Sequence, residues 1–332
     1  MKRKIFFLLT ALLCAALLAG CSGSALDIFF PTPSPTATAE PTPSPTAEPT
    51  PTPEPTPEPL VPYEGEIRHI FFHSLIVYPE MVFTDRETPM GGYNAGFSEK
   101  AELEKILPQL YERGYVLYDL NECYEMVNGK MQRKEILLPA GKMPLILSVD
   151  DVAYAYGDGY ARRLFVDDAG ALLYEVPNPS GGVDIIPDGD VMGVVDAFVA
   201  GHPDFSWNGH KGTIALTGFQ GAFGYPSYDD PAYQTEIKKV ADALRADGWS
   251  FASHSYTHNS GVYGFWGTGC IPDKIYYDIN KWVDRVSPWI GETNLFLAPF
   301  GYRDGRGIAA CAQCRVQYLL HRGRPCGQRA VR

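Results

Sequence analysis

The chain has 332 residues, with 45% hydrophobic and 13% aromatic side chains, 39 acidic and 28 basic residues, and a formal net charge of −11. This acidic balance excludes a protein that binds nucleic acid through a basic surface, because phosphates would be repelled. Of seven cysteines, only Cys123 and Cys270 lie between residues 60 and 300, so no disulfide framework is indicated.

The first 21 residues have the pattern of an export signal. Basic side chains at residues 2–4 precede the apolar stretch 5–18, which is too short for a permanent membrane span. The stretch leads into Leu-Ala-Gly-Cys, which resembles the lipobox of bacterial lipoproteins and implies acylation of Cys21. We therefore expect a signal peptide over residues 1–21 and a lipid anchor on the extracellular face of the cytoplasmic membrane.

Residues 22–60 are predicted to be a disordered linker. The segment 31–59 contains 12 prolines among threonine, serine, alanine and glutamate, so it lacks the apolar side chains needed for a core. As a polyproline II helix it would reach roughly 90 Å at about 3.1 Å per residue. This length would hold the following domain away from the membrane.

From residue 61 onward, strand-like and helix-like stretches alternate. The run 67–72 is rich in β-branched and aromatic residues and predicts a strand. A helix is predicted from a cap at Ser98 to a stop at Gly114, and a strand over 115–120 follows it. This first unit is typical of a strand and helix that pack in layers.

A second helix has Asp230 as its cap, Pro231 at its first position and Gly248 as its stop. Further strands are predicted over 145–149, 213–217, 249–252 and 294–298. The alternation predicts an α/β fold with a mostly parallel sheet or barrel, in which catalytic groups lie where strands end.

Two of these strands end in polar clusters. Asp150 and Asp151 follow one strand, and His254 and His258 follow another. Adjacent carboxylates at the mouth of a buried strand repel each other unless they share a cation or a proton. If the segment after Ser253 is helical, the two histidines project from one face and can bind one metal ion. Histidines at this spacing are often only a solvated face, and the aspartates are what favour a metal.

The pair Asp167-Asp168 is interpreted differently. It precedes Ala169-Gly170 between two apolar runs, which is the signature of a hairpin turn. We therefore expect this pair to be structural.

Three segments resemble the motifs of the polysaccharide deacetylases with the NodB homology fold. They are LSVDDV at 147–152, SHSYTH at 253–258 and FLAPFGY at 296–302, against family motifs (T/S)-F-D-D, H-(S/T)-x-x-H and R-x-P-(Y/F). The segments FFHSLI and LYERGYVL resemble the amino-terminal part of exported members from Gram-positive bacteria. The resemblance implies a distorted (β/α) barrel over residues 61–302, incomplete at its C-terminus.

The resemblance also implies a chemistry. Asp151, His254 and His258 would bind a divalent metal ion, and Asp150 would be the general base. The third motif would place Pro299 and Phe300 at the oxyanion and substrate, with the Phe300 N–H as a donor. Zinc is the first choice, and cobalt, nickel or iron would also suit these ligands.

The implied substrate is an acetylated polysaccharide or cell-wall glycan, carrying either N-acetyl or O-acetyl groups. Two histidines and a carboxylate also describe the facial triad of non-haem iron oxygenases, which usually place a histidine and a carboxylate two positions apart. An HExxH protease is excluded, because Ser255 stands where its glutamate is required.

The chain departs from the family pattern in two places that bear on catalysis. Leu297 stands where the third-motif arginine is expected, and the late histidine that serves as general acid is missing. His321 lies only 19 residues after Tyr302, too close for the intervening elements of a barrel, so it is excluded from that role. A non-catalytic surface lipoprotein that retains the metal site and binds glycan is therefore the alternative.

A long insertion is predicted within residues 154–212. Its aromatic and histidine side chains could wall a sugar groove, although ordinary packing is the more frequent role for each of them; they are Tyr154, Tyr156, His202 and Trp207. His73, at the end of the first strand, could also line the site.

Residues 303–332 form an atypical tail, with seven of the sixteen arginines, three cysteines and no lysine. The spacing C-x2-C-x6-H-x4-C approaches that of a zinc knuckle, and a plain basic tail is a second interpretation. We favour a third, a shifted reading frame or truncated gene, which would leave a sheet edge uncovered.

Overall fold

The structure is a computed structural model that describes residues 59–83, 96–128, 130–155, 157–259, 271–301, 318–321 and 324–325, all within the compact unit Thr56–Arg332. The predicted signal peptide, Cys21, the linker up to residue 58 and most of the tail lie outside the described residues. Among the residues that are described, no helix is both long and apolar enough to cross a bilayer.

The helices and strands alternate along the described chain. The helices are α1 (Pro79–Val82), α2 (Lys100–Glu112), α3 (Val191–Gly201), α4 (Pro231–Ala246), α5 (Pro272–Arg285) and α6 (Ser287–Ile290). The strands are β1 (Leu60–Pro62), β2 (Arg68–Phe72), β3 (Tyr115–Leu117), β4 (Tyr124–Val127), β5 (Lys130–Arg133), β6 (Leu137–Pro139), β7 (Met143–Asp150), β8 (Arg163–Val166), β9 (Leu172–Pro177), β10 (Val183–Ile186), β11 (Gly212–Leu216), β12 (Trp249–Ser253), β13 (Leu295–Leu297), β14 (Tyr318–His321) and β15 (Arg324–Pro325).

One curled sheet dominates the fold. Its strand order is β15-β14-β13-β12-β11-β7-β2, with β3 also paired to β7, and every pair is parallel except β14–β15. The ladder forms a half-barrel, without hydrogen-bonded closure between β15 and β2 in the described part of the chain. The predicted α/β class and incomplete barrel are confirmed.

The central strands are buried along most of their length because helices and loops cover both of their faces. All five residues of β11 are buried, as are six of the eight residues of β7. Such continuous burial distinguishes a central parallel strand from the alternating pattern of a sheet with one wet face.

The predicted α4 is confirmed in detail. Asp230 accepts a hydrogen bond from the Ala232 N–H, and Pro231 is the first helical residue. Four apolar side chains form its buried face: Ile237, Val240, Ala241 and Leu244. Gly248 follows with φ 94°, where a Cβ would lie 2.0 Å from the Gly209 carbonyl oxygen, so only glycine fits this stop.

The cap of α2 was predicted one residue too early. Glu99, not Ser98, is the N-cap, and its side chain and that of Glu102 form a reciprocal capping box. The Ser98 carbonyl accepts instead from the Ile76 N–H at 2.9 Å, which ties this helix start to the loop after β2.

The insertion forms a separate antiparallel sheet of β8, β9 and β10 together with α3. Asp167 accepts from the N–H groups of Ala169 and Ala171 at 2.9 and 2.8 Å, so it holds the β8–β9 hairpin turn. The structural role predicted for the Asp167-Asp168 pair is confirmed.

The tail contributes a strand that the sequence analysis did not predict. Tyr318–His321 pairs in parallel with Leu295–Leu297 and extends the main sheet by one position. The sequence analysis rejected His321 as a general acid on the assumption that several elements must precede a further strand, but a parallel crossover needs only a dozen or so residues. The chain between residues 297 and 318 meets that requirement.

Asp190 gives the fold a pH dependence that can be measured. It caps α3 from a fully buried position, accepting from the N–H groups of Val191 at 2.7 Å and Leu75 at 2.8 Å. Burial raises the pKa of its carboxyl to about 6. The native state therefore binds more protons than the unfolded state between about pH 4 and pH 6, and the free energy of unfolding falls as pH rises through that window.

We predict that Asp190→Asn removes this part of the decline, because the amide oxygen can still cap α3 but does not ionise. Denaturant unfolding of both proteins from pH 4 to pH 7 measures the difference. Burial also raises the pKa of Asp196, to about 7, but that group is present in both proteins and cancels. The same pH dependence in both proteins would show that Asp190 does not titrate in this window.

Candidate metal centre

Four parallel strands end at one edge of the main sheet and carry the candidate residues there. Asp150 is the last residue of β7 and pairs with Ala215, while Ser253 ends β12 and pairs with Phe296 of β13. The chain continues from these ends into the three motifs of the sequence analysis. Parallel pairing therefore brings together segments that are about 100 residues apart in sequence.

Strand β11 lies between β7 and β12 and hydrogen-bonds to the first residue after the end of each of these two strands. The Asp151 N–H donates to the Ala215 carbonyl at 3.1 Å, and the His254 N–H donates to the Leu216 carbonyl at 2.9 Å. These two carbonyls belong to consecutive residues of a fully buried strand. The backbones of the two candidate ligands are thus anchored to the same rigid element.

The three predicted ligands form one cluster. One ligand atom each from Asp151, His254 and His258 lies within 4.8 Å of the others. The Nε2 atom of His258 is 3.7 Å from Oδ2 of Asp151. Bonds of about 2.0–2.2 Å to one ion place ligand atoms about 3–4 Å apart, so this donor set fits a divalent metal with little movement.

The tautomer of His254 follows from its second ring nitrogen. Nδ1 lies 2.9 Å from the Leu297 carbonyl oxygen, which can only accept, so Nδ1 carries the proton. Nε2 therefore presents a lone pair, as a metal ligand requires, and the carbonyl fixes the ring orientation. Leu297, at the position expected for an arginine, contributes its main chain to the site.

His258 reaches the cluster through a tight turn. The segment after Ser253 is not the helix that the sequence analysis considered, because Ser255 and His258 have φ values of 63° and 49°. The His258 N–H donates to Ser255 Oγ at 2.9 Å, and its ring lies 4.6 Å from that of Phe300. Burial lowers the pKa of His258, which favours the neutral, ligating form.

Unusual backbone conformations gather at this edge. Asp151, Ser255, His258 and Phe300 all have φ between 49° and 63°, a region that side chains with a Cβ rarely adopt. Each such residue costs of order 1–3 kcal/mol and is retained where the surroundings hold it. Their concentration around the three ligands supports a functional role for this edge.

Asp278 of α5 holds the turn from behind. Its Oδ2 accepts from the Tyr256 N–H at 2.8 Å, and its Oδ1 accepts from the N–H and hydroxyl of Thr257 at 3.0 and 2.7 Å. The side chain is buried. Sequence reasoning missed this residue, although an acid within the apolar stripe of Ile275, Ile279 and Trp282 was a readable signal.

The predicted base and oxyanion residues border one cavity of about 210 Å³ beside the cluster. Asp150, Phe300 and the two ligand histidines line it, together with His69, Phe71 and His73 of the first strand and its end. Pro299 is buried beneath the short turn 299–301, while the Phe300 ring is exposed. The structure thus brings the predicted site residues to one place and adds His69.

The aromatic residues proposed for a sugar groove in the insertion do not reach this cavity. Tyr154 is buried in the main core, and Trp207 packs against a second apolar cluster. His202 stacks on Phe198 with ring centroids 4.3 Å apart. These three residues serve packing because α3 and the turn after it fold back onto α2 and the sheet; Tyr156 lies outside the described residues.

Comparison with known proteins adds a set of similar structures. No protein-family model and no curated protein matches the chain. The Streptococcus pyogenes deacetylase PplD in complex with acetate is 12% identical with a TM-score of 0.42, covering 77% of this chain and 82% of its own. IcaB from Ammonifex degensii is 10% identical with a TM-score of 0.43, covering 77% and 83%.

A putative polysaccharide deacetylase from Bacillus anthracis, BA0330, is 12% identical with a TM-score of 0.42, covering 77% of this chain and 58% of its own. PplD and BA0330 are deacetylases by name. At such identities and TM-scores, the residues of the site carry the functional argument.

We predict that Asp278→Asn lowers metal affinity about 10- to 100-fold, because the amide cannot accept all three hydrogen bonds and the turn carrying His258 loosens. Isothermal titration calorimetry with zinc measures the change in affinity. Asp273→Asn, at the exposed start of the same helix, is the matched control. Equal affinity in the Asp278 and Asp273 variants would show that the turn does not depend on this carboxylate.

Proposed function

We propose that this protein is a metal-dependent hydrolase that removes acetyl groups from a polysaccharide at the cell surface. The observation that carries the proposal is the clustering of Asp151, His254 and His258 beside an open cavity that Asp150 and the two histidines line. Structural zinc sites are closed by four protein ligands, whereas catalytic sites use three and keep a position open. Three clustered donors beside a further carboxylate match the catalytic pattern.

A divalent ion bound by such a site supplies Lewis acidity, which polarises a carbonyl group and makes water nucleophilic near neutral pH. Asp150 would accept the proton of the attacking water, as a general base. The Phe300 N–H would donate to the acetyl oxygen as negative charge develops there. The ligands Asp151, His254 and His258 would hold the ion and leave space for the acetyl group.

His73 is the candidate donor of a proton to the leaving group. It lines the cavity, and its Nδ1 lies 2.6 Å from the Gly96 carbonyl oxygen, so Nδ1 carries a proton in this contact. Nε2 is then the ring atom that can exchange a proton with the substrate. This assignment would supply the acid that the sequence analysis could not find downstream of the third motif.

Zinc is our first choice of metal, with cobalt, nickel and iron as substitutes that suit the same donors. The iron oxygenase alternative is less well supported. In such sites a histidine and the carboxylate usually lie two positions apart, whereas Asp151 and His254 follow the ends of two different strands. The presence of Asp150 beside the ligands favours hydrolysis.

The proposed setting is the outer face of the cytoplasmic membrane. The sequence pattern of residues 1–21 supports export and lipidation at Cys21, and the composition of residues 22–60 supports a flexible tether. The catalytic domain would then reach acetylated glycans of the cell wall or surroundings. A glycan-binding lipoprotein without activity is the second candidate, and Leu297 in place of an arginine favours it.

We predict that the zinc-loaded protein releases acetate from at least one of chitin oligosaccharides, peptidoglycan and acetylxylan. Asp150→Asn should lower the rate by about 100-fold or more, since general bases contribute 10²–10⁴-fold. Enzyme-coupled acetate detection provides the measurement. Asp168→Asn, at an exposed hairpin position, is the matched control and should keep full activity.

Two outcomes of that panel bear on the proposal directly. No acetate from any of the three polymers, with glycan binding retained, would establish the binding-protein alternative. Full activity in Asp150→Asn would remove the general base from the mechanism while leaving the metal cluster in place.

We predict that Asp151→Ala and His254→Ala each lose about one equivalent of bound metal and the chelator-sensitive part of the melting temperature. The reason is that ligands brought together by folding couple metal binding to stability. Elemental analysis and thermal unfolding with and without EDTA measure both effects. His202→Ala, which removes a histidine that packs on Phe198, is the control, and one full equivalent in both ligand variants would reject the site.

A further inference from the structure

We propose that His69 is a positioning residue for the general base, acting on Asp150 through the hydroxyl of Ser148. This inference rests on the proposed function, because it deepens the role given to Asp150. It accounts for a feature the sequence left open, namely what orients the base when Leu297 stands in place of an arginine.

The three residues form a line across two paired strands. Nε2 of His69 lies 2.9 Å from Ser148 Oγ, and Ser148 Oγ lies 3.4 Å from Oδ1 of Asp150. Parallel pairing of β2 with β7 places Phe71 opposite Ser148. His69 lies two positions before Phe71 on β2, so these two side chains are on the same face of that strand. Ser148 and Asp150 are two positions apart on β7, so they also share a face.

The chemistry of the groups fixes the direction of both hydrogen bonds. The Asp150 carboxylate can only accept, so the Ser148 hydroxyl proton points toward it. A Ser148 oxygen whose proton is used in this way must accept from its other neighbour. His69 therefore donates from Nε2–H, and the order of donation is His69 to Ser148 to Asp150.

Burial strengthens the hydrogen bonds of this arrangement. Ser148 is fully buried, so water does not compete for its hydroxyl, and a buried hydrogen bond is stronger than an exposed one. His69 lines the same cavity as Asp150. The second bond, at 3.4 Å, is long, as catalytic hydrogen bonds often are before substrate binds.

Leu297 cannot perform this function with its side chain. It is apolar and buried, and its carbonyl already accepts from His254. Asp150 thus accepts a hydrogen bond from the neutral hydroxyl of Ser148, which His69 of β2 orients. The strand end that carries the third motif supplies no side-chain donor at Leu297.

The experiment compares variants that remove or keep the donor. His69→Leu removes it at similar size, and His69→Gln can still donate to Ser148 from its amide. We expect His69→Leu and Ser148→Ala to lower kcat for acetate release about 10- to 100-fold with KM and zinc content within about twofold of wild type. His69→Gln should recover kcat to within about threefold.

The double variant His69→Leu/Ser148→Ala tests whether the two residues act in series. Its kcat should match that of Ser148→Ala alone, because Ser148→Ala has already removed the hydroxyl that His69 contacts. Melting temperatures identify variants with a damaged fold, and His202→Gln is the control histidine.

If the wild-type protein releases acetate, three outcomes would overturn the role proposed for His69 without affecting the proposed function. They are an unchanged kcat in His69→Leu, an equal loss in His69→Gln and His69→Leu, and multiplied losses in the double variant. A wild-type protein that releases no acetate would instead overturn the proposed function, and the role of His69 with it.

Discussion

The candidate site depends on the parallel register of β11 between β7 and β12. The backbones of Asp151 and His254 donate to consecutive carbonyls of this strand, which fixes how far apart two remote parts of the chain can lie. A slip of one residue would turn every side chain of a strand to the opposite face. All five residues of β11 are buried, so a slip would force close-packed side chains into spaces shaped for others.

The core that stabilises β11 therefore also positions the candidate ligands. Trp282 of α5 is fully buried and donates from its indole nitrogen to the Leu216 carbonyl at 2.6 Å. That carbonyl also accepts from the His254 N–H. The same helix carries Asp278, which holds the turn leading to His258. Packing of one helix thus supports both histidines, and the strained turn is stabilised from its buried side.

The sequence predicted the parts of the fold in which local pattern and tertiary structure agree. Strand positions followed from apolar runs, and α4 followed from its cap, proline and glycine, because these signals act within a few residues. A cation site was predicted because polar clusters follow two strands whose carboxyl ends parallel pairing aligns, and the resemblance to the deacetylase motifs implied the set Asp151, His254 and His258. Those parts required no knowledge of long-range contacts.

The rest depended on contacts between remote residues. The turn after Ser253 is held by Asp278, which lies 22 and 21 residues after the two residues whose N–H groups it accepts, and the histidine spacing alone did not contain that information. The β14 strand depended on its pairing with β13. His69 and Ser148, which link β2 to Asp150, are 79 residues apart in sequence. Only the register of β2 with β7 reveals their contact.

The charge of the cavity follows from the same arrangement. Among the described residues that line it, there is no lysine or arginine, and the carboxylate of Asp150 faces a cluster that includes Asp151. Burial lowers the pKa of His258, which weakens its ability to offset these negative charges. Adjacent carboxylates in such a place are stable only with a shared cation or proton.

A divalent cation would therefore neutralise the site as well as take part in its chemistry. In a site with an arginine beside the base, part of that neutralisation would come from the protein itself. Here the apolar side chain of Leu297 stands at that position, and Asp150 accepts from the Ser148 hydroxyl, whose oxygen lies 2.9 Å from Nε2 of His69. Affinity for an ion and orientation of Asp150 would then draw on different contacts. The proposed ligands follow β7 and β12, whereas His69 of β2 would support Asp150 through Ser148.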